Sequence, residues 1–170
     1  MAARAGDRQA FAALVELEAP VALRLAGSIL HSESEAQDAV QDAFVRAWHD
    51  LPRLRDIDSW TPWLRTITVR SAIDRYRHTR RLREVDLDAP VPLMTADASE
   101  ATADRDRIRG ALQTLSVDDR TILILRFAED LEVPVIANTL GIRLGAAKVR
   151  LHRATMRLRA ALGDRPGDVA

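Results

Sequence analysis

The sequence predicts an all-α protein: two small helical domains joined by a flexible acidic linker, the C-terminal one a helix-turn-helix. Three observations carry that prediction. Apolar residues recur at helical steps of three and four before residue 84 and after residue 103. Between them, Glu84 to Ala103 is acidic, rich in Asp and Ala, holds Pro90 and Pro92, and has no helical stripe. Finally, Val133 to Leu162 reads as a short helix, a tight turn and a longer basic helix. The expected organisation is a helical domain at 1–83, a linker at 84–103, a second helical domain at 104–162 and a frayed tail at 163–170.

Asp7 to Leu30 is the first helical region, on Phe11, Leu14, Val15, Val21, Leu25 and Ile29. Pro20 should kink or divide it. Ser32 and Glu35 form a Ser-x-x-Glu capping box that opens the next helix. Ala36, Val40, Ala43, Phe44, Ala47, Trp48 and Leu51 share one face of that helix, and Pro52 follows its end. Asp38, Gln41, Asp42 and Arg46 lie on the other side, which periodicity alone reads as a solvated face. Arg53 to Thr61 is a polar loop, with Thr61 as N-cap and Pro62 as the first residue of a third helix running towards Arg81. Trp63, Leu64, Ile67, Ile73 and Tyr76 are its expected core residues, and Arg65, Arg70, Arg75, Arg77, Arg80 and Arg81 decorate the rest. Trp60, Trp63 and Tyr76 beside these arginines can either stack on unpaired bases or pack inside, and Trp60, in the loop, is the more open of the three.

After the linker, Ile108, Ala111, Leu112 and Leu115 mark a helix. Ser116 caps the next, which carries Ile122, Leu123, Leu125 and Arg126. Ile136, Ala137 and Leu140 give the first helix of the closing hairpin, Gly141 supplies the positive φ its end requires, and Ile142 fills the corner. The second helix aligns Ala147, Leu151, Ala154, Leu158 and Leu162, with Lys148, Arg150, His152, Arg153, Arg157 and Arg159 on its other faces. One apolar stripe on an otherwise basic helix, packed across a Gly turn, suits a reader of the DNA major groove, although any helical hairpin shows the pattern weakly.

Net charge is zero, but its distribution is not uniform. Residues 1–50 carry −4, 51–83 carry +6, 84–119 carry −6 and 120–170 carry +4. Two separated basic blocks suit two contacts with a polyanion, leaving the acidic blocks to face something else. There is no cysteine, hence no disulfide framework or thiolate metal site. The four histidines are scattered without ligand spacing and read as surface residues. Residues 1–10 have no apolar core of a signal peptide, and no apolar run approaches the ~20 residues that span a bilayer, so a soluble cytoplasmic protein is expected. No carboxylate pair, nucleophile–base pair or Gly-rich phosphate loop is recognisable, so neither an enzyme nor a cofactor is expected.

Four stretches in this order, "FAALVE", "DAVQDAFVRAWHDLPRLR", "WLRTITVRSAIDRYR" and "ALQTLSVDDRTILILR…IANTLGI…KVRLHRATMRLR", resemble the extracytoplasmic-function (ECF) group of sigma-70 family RNA polymerase sigma factors. Together they cover nearly all of the chain outside the linker. The resemblance implies a non-enzymatic initiation factor that binds the beta and beta-prime subunits of bacterial core RNA polymerase and directs it to promoter DNA. It implies that Asp38, Gln41 and Asp42 dock on the clamp helices of the largest polymerase subunit. The loop Leu54 to Thr61, with Arg55, Asp58 and Trp60, falls where the family captures a flipped base of the −10 element. Arg70, Asp74, Arg75 and Arg77 fall near the non-template strand. Lys148, Val149, His152 and Arg153 match base-facing positions for the −35 element, and Arg150 a backbone-facing one. An anti-sigma factor is implied as a regulator by family analogy alone.

The chain departs from the family pattern at several positions. Arg70 stands where an asparagine is frequent, and a longer cation there shifts the expected −10 preference. Both helix starts of the hairpin lack the usual capping residue, with Glu132 and Arg143 in those places. The run Ala146-Ala147-Lys148-Val149-Arg150 replaces Thr-Val-Lys-Ser-Arg, so Val149 offers a thymine methyl contact instead of a hydrogen bond. Two competing readings are a stand-alone helix-turn-helix regulator, and a module whose basic helices bind acidic proteins. The aromatic-basic block at 51–83 and the acidic face of the second helix argue against the first.

Overall fold

A computed structural model describes residues 2–54, 56, 59–85 and 102–163. All regular structure among them is helical, and the chain divides into two compact units, 1–92 and 93–170. Most of the expected linker, residues 86–101, lies outside the described residues, as do residues 164–170 of the expected tail. No helix among the described residues is long and apolar enough to cross a membrane.

The first unit opens with a 3-10 turn at Ala2–Ala5 and continues with α1 (Arg8–Leu30), α2 (Glu33–Asp50), a 3-10 turn at Leu51–Arg53 and α3 (Trp60–Val85). Side chains cap the first two helices, Ser32 as the sequence indicates and Asp7 in addition. Asp7 accepts the Gln9 and Ala10 N–H groups at 2.9 and 3.1 Å, and Ser32 Oγ accepts the Glu35 N–H at 3.4 Å. Pro20, expected to kink or divide α1, lies within a continuous helix. It and Glu16, whose carbonyl loses its helical partner, are both exposed, so water can take the unmade bond. The three helices pack through small residues. Ala26, Ala39, Ala43, Ala47 and Ala72 are fully buried, so the helices approach without interposed bulk. Ile29, Leu51 and Val69 fill the remaining core and are also fully buried. Trp63, Ile67 and Tyr76, expected inside, are only half-buried, whereas Thr68, Val69, Ser71 and Ala72 are buried.

The start of α3 differs from the expectation. The helix begins at Trp60, not at Pro62, and Thr61 donates its hydroxyl to Glu18 Oε1 at 2.9 Å instead of capping. Trp60 was expected in an open loop, but it is 5% exposed. Its ring meets Phe11 edge-on at 6.2 Å and Trp63 at 5.6 Å, and Phe11 also meets Trp48 at 4.9 Å. Burying that aromatic surface outweighs the local turn preference, and Pro62 is tolerated because the first helical turn needs no N–H there. At the other end α3 runs through Glu84 and Val85, and α4 starts at Thr102, so both helices enter the stretch expected to be linker.

The second unit contains α4 (Thr102–Gln113), α5 (Val117–Leu123), a π-helical turn (Ile124–Ala128), α6 (Val133–Leu140) and α7 (Leu144–Ala161). Ser116 caps α5 by accepting the Asp119 N–H at 3.2 Å. The helix expected to run through Arg126 widens after Leu123, and the Glu129 N–H reaches back five residues to the Ile124 carbonyl at 3.0 Å. Arg126 secures the exit by donating to Asp130 Oδ1 at 3.2 Å and to the Leu131 carbonyl at 3.3 Å. Ile122, Leu123, Leu125 and Ile136 form the core. Ile108, expected inside, is 46% exposed; Ala111 and Leu115 carry the contact from that end.

Candidate nucleic-acid interface

The hairpin that presents the basic helix is built by its turn. Gly141 has φ 66° and ψ 33°. The Ile142 N–H bonds to the Ala137 carbonyl at 2.9 Å and the Gly141 N–H to Asn138 at 3.1 Å, the paired bonds that close a helix through a left-handed residue. A side chain at Gly141 would be strained by that backbone. Beyond the turn, Ala147 and Ala154 are fully buried, and Leu151, Leu158 and Leu162 are half-buried, so the apolar stripe read from the sequence anchors α7. Lys148, Val149, His152 and Arg153 stand exposed on the remaining surface, with Val149 50% exposed.

Two further arginines of α7, Arg150 and Arg157, are held by acids of α5. Arg150 lies 3.9 Å from Asp118, and Arg157 donates to Asp119, which is 5% exposed. These residues line a groove with Ser116, Gly145, Ala146, Val149 and Arg153. Neither α6 nor α7 receives a side-chain cap from Glu132 or Arg143, as the sequence indicated.

In the first unit, Asp38, Gln41 and Asp42 fall on one side of α2, the first half-buried and the others exposed. Val45, 53% exposed, continues that row at i+3 from Asp42. Sequence reasoning passed over Val45; the available signal was a β-branched apolar residue on the helix side opposite the core stripe. On α3, Arg70, Asp74 and Arg77 are exposed at steps of four and three, and Arg75 is half-buried. Arg75 donates to Asp38, and Arg46 donates to Asp74 at 3.3 Å, so the two candidate surfaces are cross-linked by ion pairs that no local pattern announces. Trp60 lies in the core against Phe11 and Trp63, with its buried Nε1 unpartnered, and not on the surface with the arginines. Arg55 and Asp58 lie outside the described residues. Among the described residues no group of three or more His, Asp or Glu side chains could hold a metal ion.

Comparison with known proteins places both units in one family. Sigma-70 region 2 matches residues 14–82, and Sigma-70 region 4 matches residues 105–158. RNA polymerase sigma factor SigV of Bacillus subtilis is 32% identical over 82% of this chain and 82% of its own length. RNA polymerase sigma factor CarQ of Myxococcus xanthus is 30% identical over 98% of this chain and 97% of its own length. The solved structure of sigma factor RpoE in complex with the anti-sigma factor NepR, from Bartonella quintana, superposes with a TM-score of 0.75 at 26% identity. That likeness covers 92% of this chain and 99% of the other. CnrH, solved in complex with the cytosolic domain of CnrY, gives a TM-score of 0.65 at 26% identity, covering 95% and 92%. Matches to both units, in chain order and over nearly full length, leave the stand-alone helix-turn-helix regulator without support. The chain belongs to the extracytoplasmic-function group of the sigma-70 family: it is not an enzyme but a sigma factor, which binds core RNA polymerase and directs promoter recognition at the start of transcription.

Proposed function

We propose that the two units divide promoter reading between them. Residues 1–83 dock on the polymerase and take the −10 element as single strand, and residues 104–162 read the −35 element as duplex. The observation that carries this reading is the exposed row Lys148, Val149, His152 and Arg153 on a helix whose opposite side is buried through Ala147 and Ala154. Lys148 and Val149 meet base edges in the major groove with His152 and Arg153, while Arg150 meets phosphate. Asp38, Gln41 and Asp42 offer carboxylates and an amide to arginines on the beta-prime clamp helices, with Val45 as an apolar contact inside the row. Arg70, Asp74, Arg75 and Arg77 track the non-template strand, and the segment containing Arg55 and Asp58 receives the flipped base. Binding to one polymerase fixes the spacing of the two units, so two weak DNA contacts act together through effective concentration.

The site of action is the cytoplasm. An anti-sigma factor is the proposed regulatory partner, since RpoE and CnrH were solved with NepR and with the cytosolic domain of CnrY. The test is transcription reconstituted from core polymerase, this protein and a pool of random promoters. Products starting at defined sites with shared upstream motifs are expected. The double variant Asp38→Arg, Asp42→Arg should lose activity while its helical circular-dichroism spectrum stays unchanged. A core enzyme that neither binds the protein nor gains specificity would overturn the reading.

A further inference from the structure

We propose that Asp38 is an exchange point: it holds Arg75 in the free chain and surrenders it when polymerase docks. The exchange presupposes the roles proposed above for α2 and α3. Arg75 Nη2 donates to Asp38 Oδ2 across 37 positions of sequence, joining the row that faces polymerase to the helix that faces DNA. The side chains are 32% and 48% exposed, so water already competes for both partners. An ion pair of that kind contributes little to stability and is readily exchanged. An arginine on a docking surface that excludes water is a stronger partner for the same carboxylate, because it can bind both oxygens in a drier setting. Asp38 then has one carboxylate for two cations, and Arg75 loses its partner as the polymerase gains one.

The frame around this pair does not need to move. Ala39, Ala43 and Ala47 of α2 and Ala72 of α3 are fully buried and hold the helices together independently of the pair. The neighbouring pair, Arg46 to Asp74 at 3.3 Å, uses different groups. Docking therefore changes a side chain and leaves the helix packing intact. The released Arg75 adds one cation to the α3 surface that carries Arg70 and Arg77, at the moment a melted strand is to be held. In the free chain the same cation is neutralised, which lowers affinity for nucleic acid away from polymerase.

The test is a double-mutant cycle on Asp38→Asn and Arg75→Gln, run on the free chain and on the chain at saturating core polymerase. The free-chain probe is fluorescein-labelled single-stranded DNA of mixed sequence, about 20 nucleotides long, read by anisotropy. The holoenzyme probe is a pre-melted duplex carrying a promoter recovered from the random pool. In the free chain, Asp38→Asn should bind about threefold to tenfold tighter, with a salt slope steeper by about 0.7, and Arg75→Gln should abolish that gain. In the holoenzyme, the coupling between positions 38 and 75 should vanish, and Arg75→Gln alone should weaken binding. A free-chain gain that is absent, or that survives Arg75→Gln, overturns the exchange, as does coupling of equal size in the holoenzyme. Arg75→Gln without effect in the holoenzyme overturns instead the DNA role of Arg75, and unchanged affinity of Asp38→Asn for core overturns the docking role of Asp38.

Discussion

Arg120 Nε donates to the Leu112 carbonyl at 3.0 Å, so a side chain of α5 closes the C-terminus of α4. Its Nη2 reaches the carbonyls of Gln113 and Leu115 at 3.4 and 3.2 Å. These carbonyls lie at and just beyond the end of α4, around a guanidinium only 4% exposed, and the Leu112 carbonyl also accepts the Leu115 N–H at 3.2 Å. Arg120→Ala should cost the second unit about 2–4 kcal/mol, seen as a lower thermal midpoint by circular dichroism. Arg120→Lys should recover only part of it, since an ammonium cannot present a planar fork. An unchanged midpoint would remove Arg120 from the architecture of the unit.

Trp60 separates a core role from a base-stacking role. Its indole is buried against Phe11 and Trp63, with Nε1 unpartnered, so no hydrogen bond is lost on replacing it with phenylalanine. Trp60→Phe should stay folded and start transcription at wild-type sites. Trp60→Ala should lose about 3–5 kcal/mol of stability. Permanganate footprinting of the melted promoter decides between the roles. A well-folded Trp60→Phe protein that fails to open DNA would make the indole a reader of unpaired bases.

Val149 and Arg150 should fail in different ways. Val149→Ser exchanges a methyl contact for a hydrogen-bonding group, and should shift preference at one −35 base pair by about threefold to tenfold. Arg150→Ala should weaken all promoters nearly alike and flatten the salt dependence. Sequencing the transcripts made from the random pool by each variant distinguishes a changed motif from a uniform loss. Identical motifs for wild type and Val149→Ser would take Val149 off the base-reading surface.

The uncapped start of α7 is open to repair. Arg143→Ser should supply the missing side-chain acceptor and raise stability by about 0.5–1 kcal/mol in guanidinium unfolding. Glu132→Ser should do the same for α6. No gain in either variant would mean that the first-turn N–H groups already find adequate partners in water.

Much of this arrangement was legible along the chain because it is local. The stripe of α2, its Ser32 cap, the Gly141 turn and the anchored face of α7 each follow from residues within one or two helical turns. What escaped is tertiary. Thr61-Pro62 is a good helix start and so places Trp60 in the loop, whereas its burial against Phe11, far away in sequence, goes with a helix that already includes it. The Asp38–Arg75 and Asp119–Arg157 pairs join residues 37 and 38 positions apart, and periodicity assigns each member simply to a polar face. Pro20 reads as a divider because the rule against internal proline carries no information about which side of the helix faces water. For the candidate site, the exposed cations of α7 were visible in advance, but which arginines were already engaged by acids was not.

The contrast in helix starts has a further consequence. Asp7, Ser32 and Ser116 hold the first turns of α1, α2 and α5, whereas nothing comparable holds α6 or α7. Local opening should therefore be graded across the second unit, with amides in the first turn of α7 exchanging with solvent sooner than those of α5. On the proposed duplex contact, a turn that opens more readily is ordered on binding, so duplex binding should carry a larger heat-capacity decrease and a less favourable entropy than its contact area alone implies. The upstream contact is then expected to change with temperature more steeply than the downstream one, and the relative strength of two promoters becomes a property of the growth temperature as well as of their sequence.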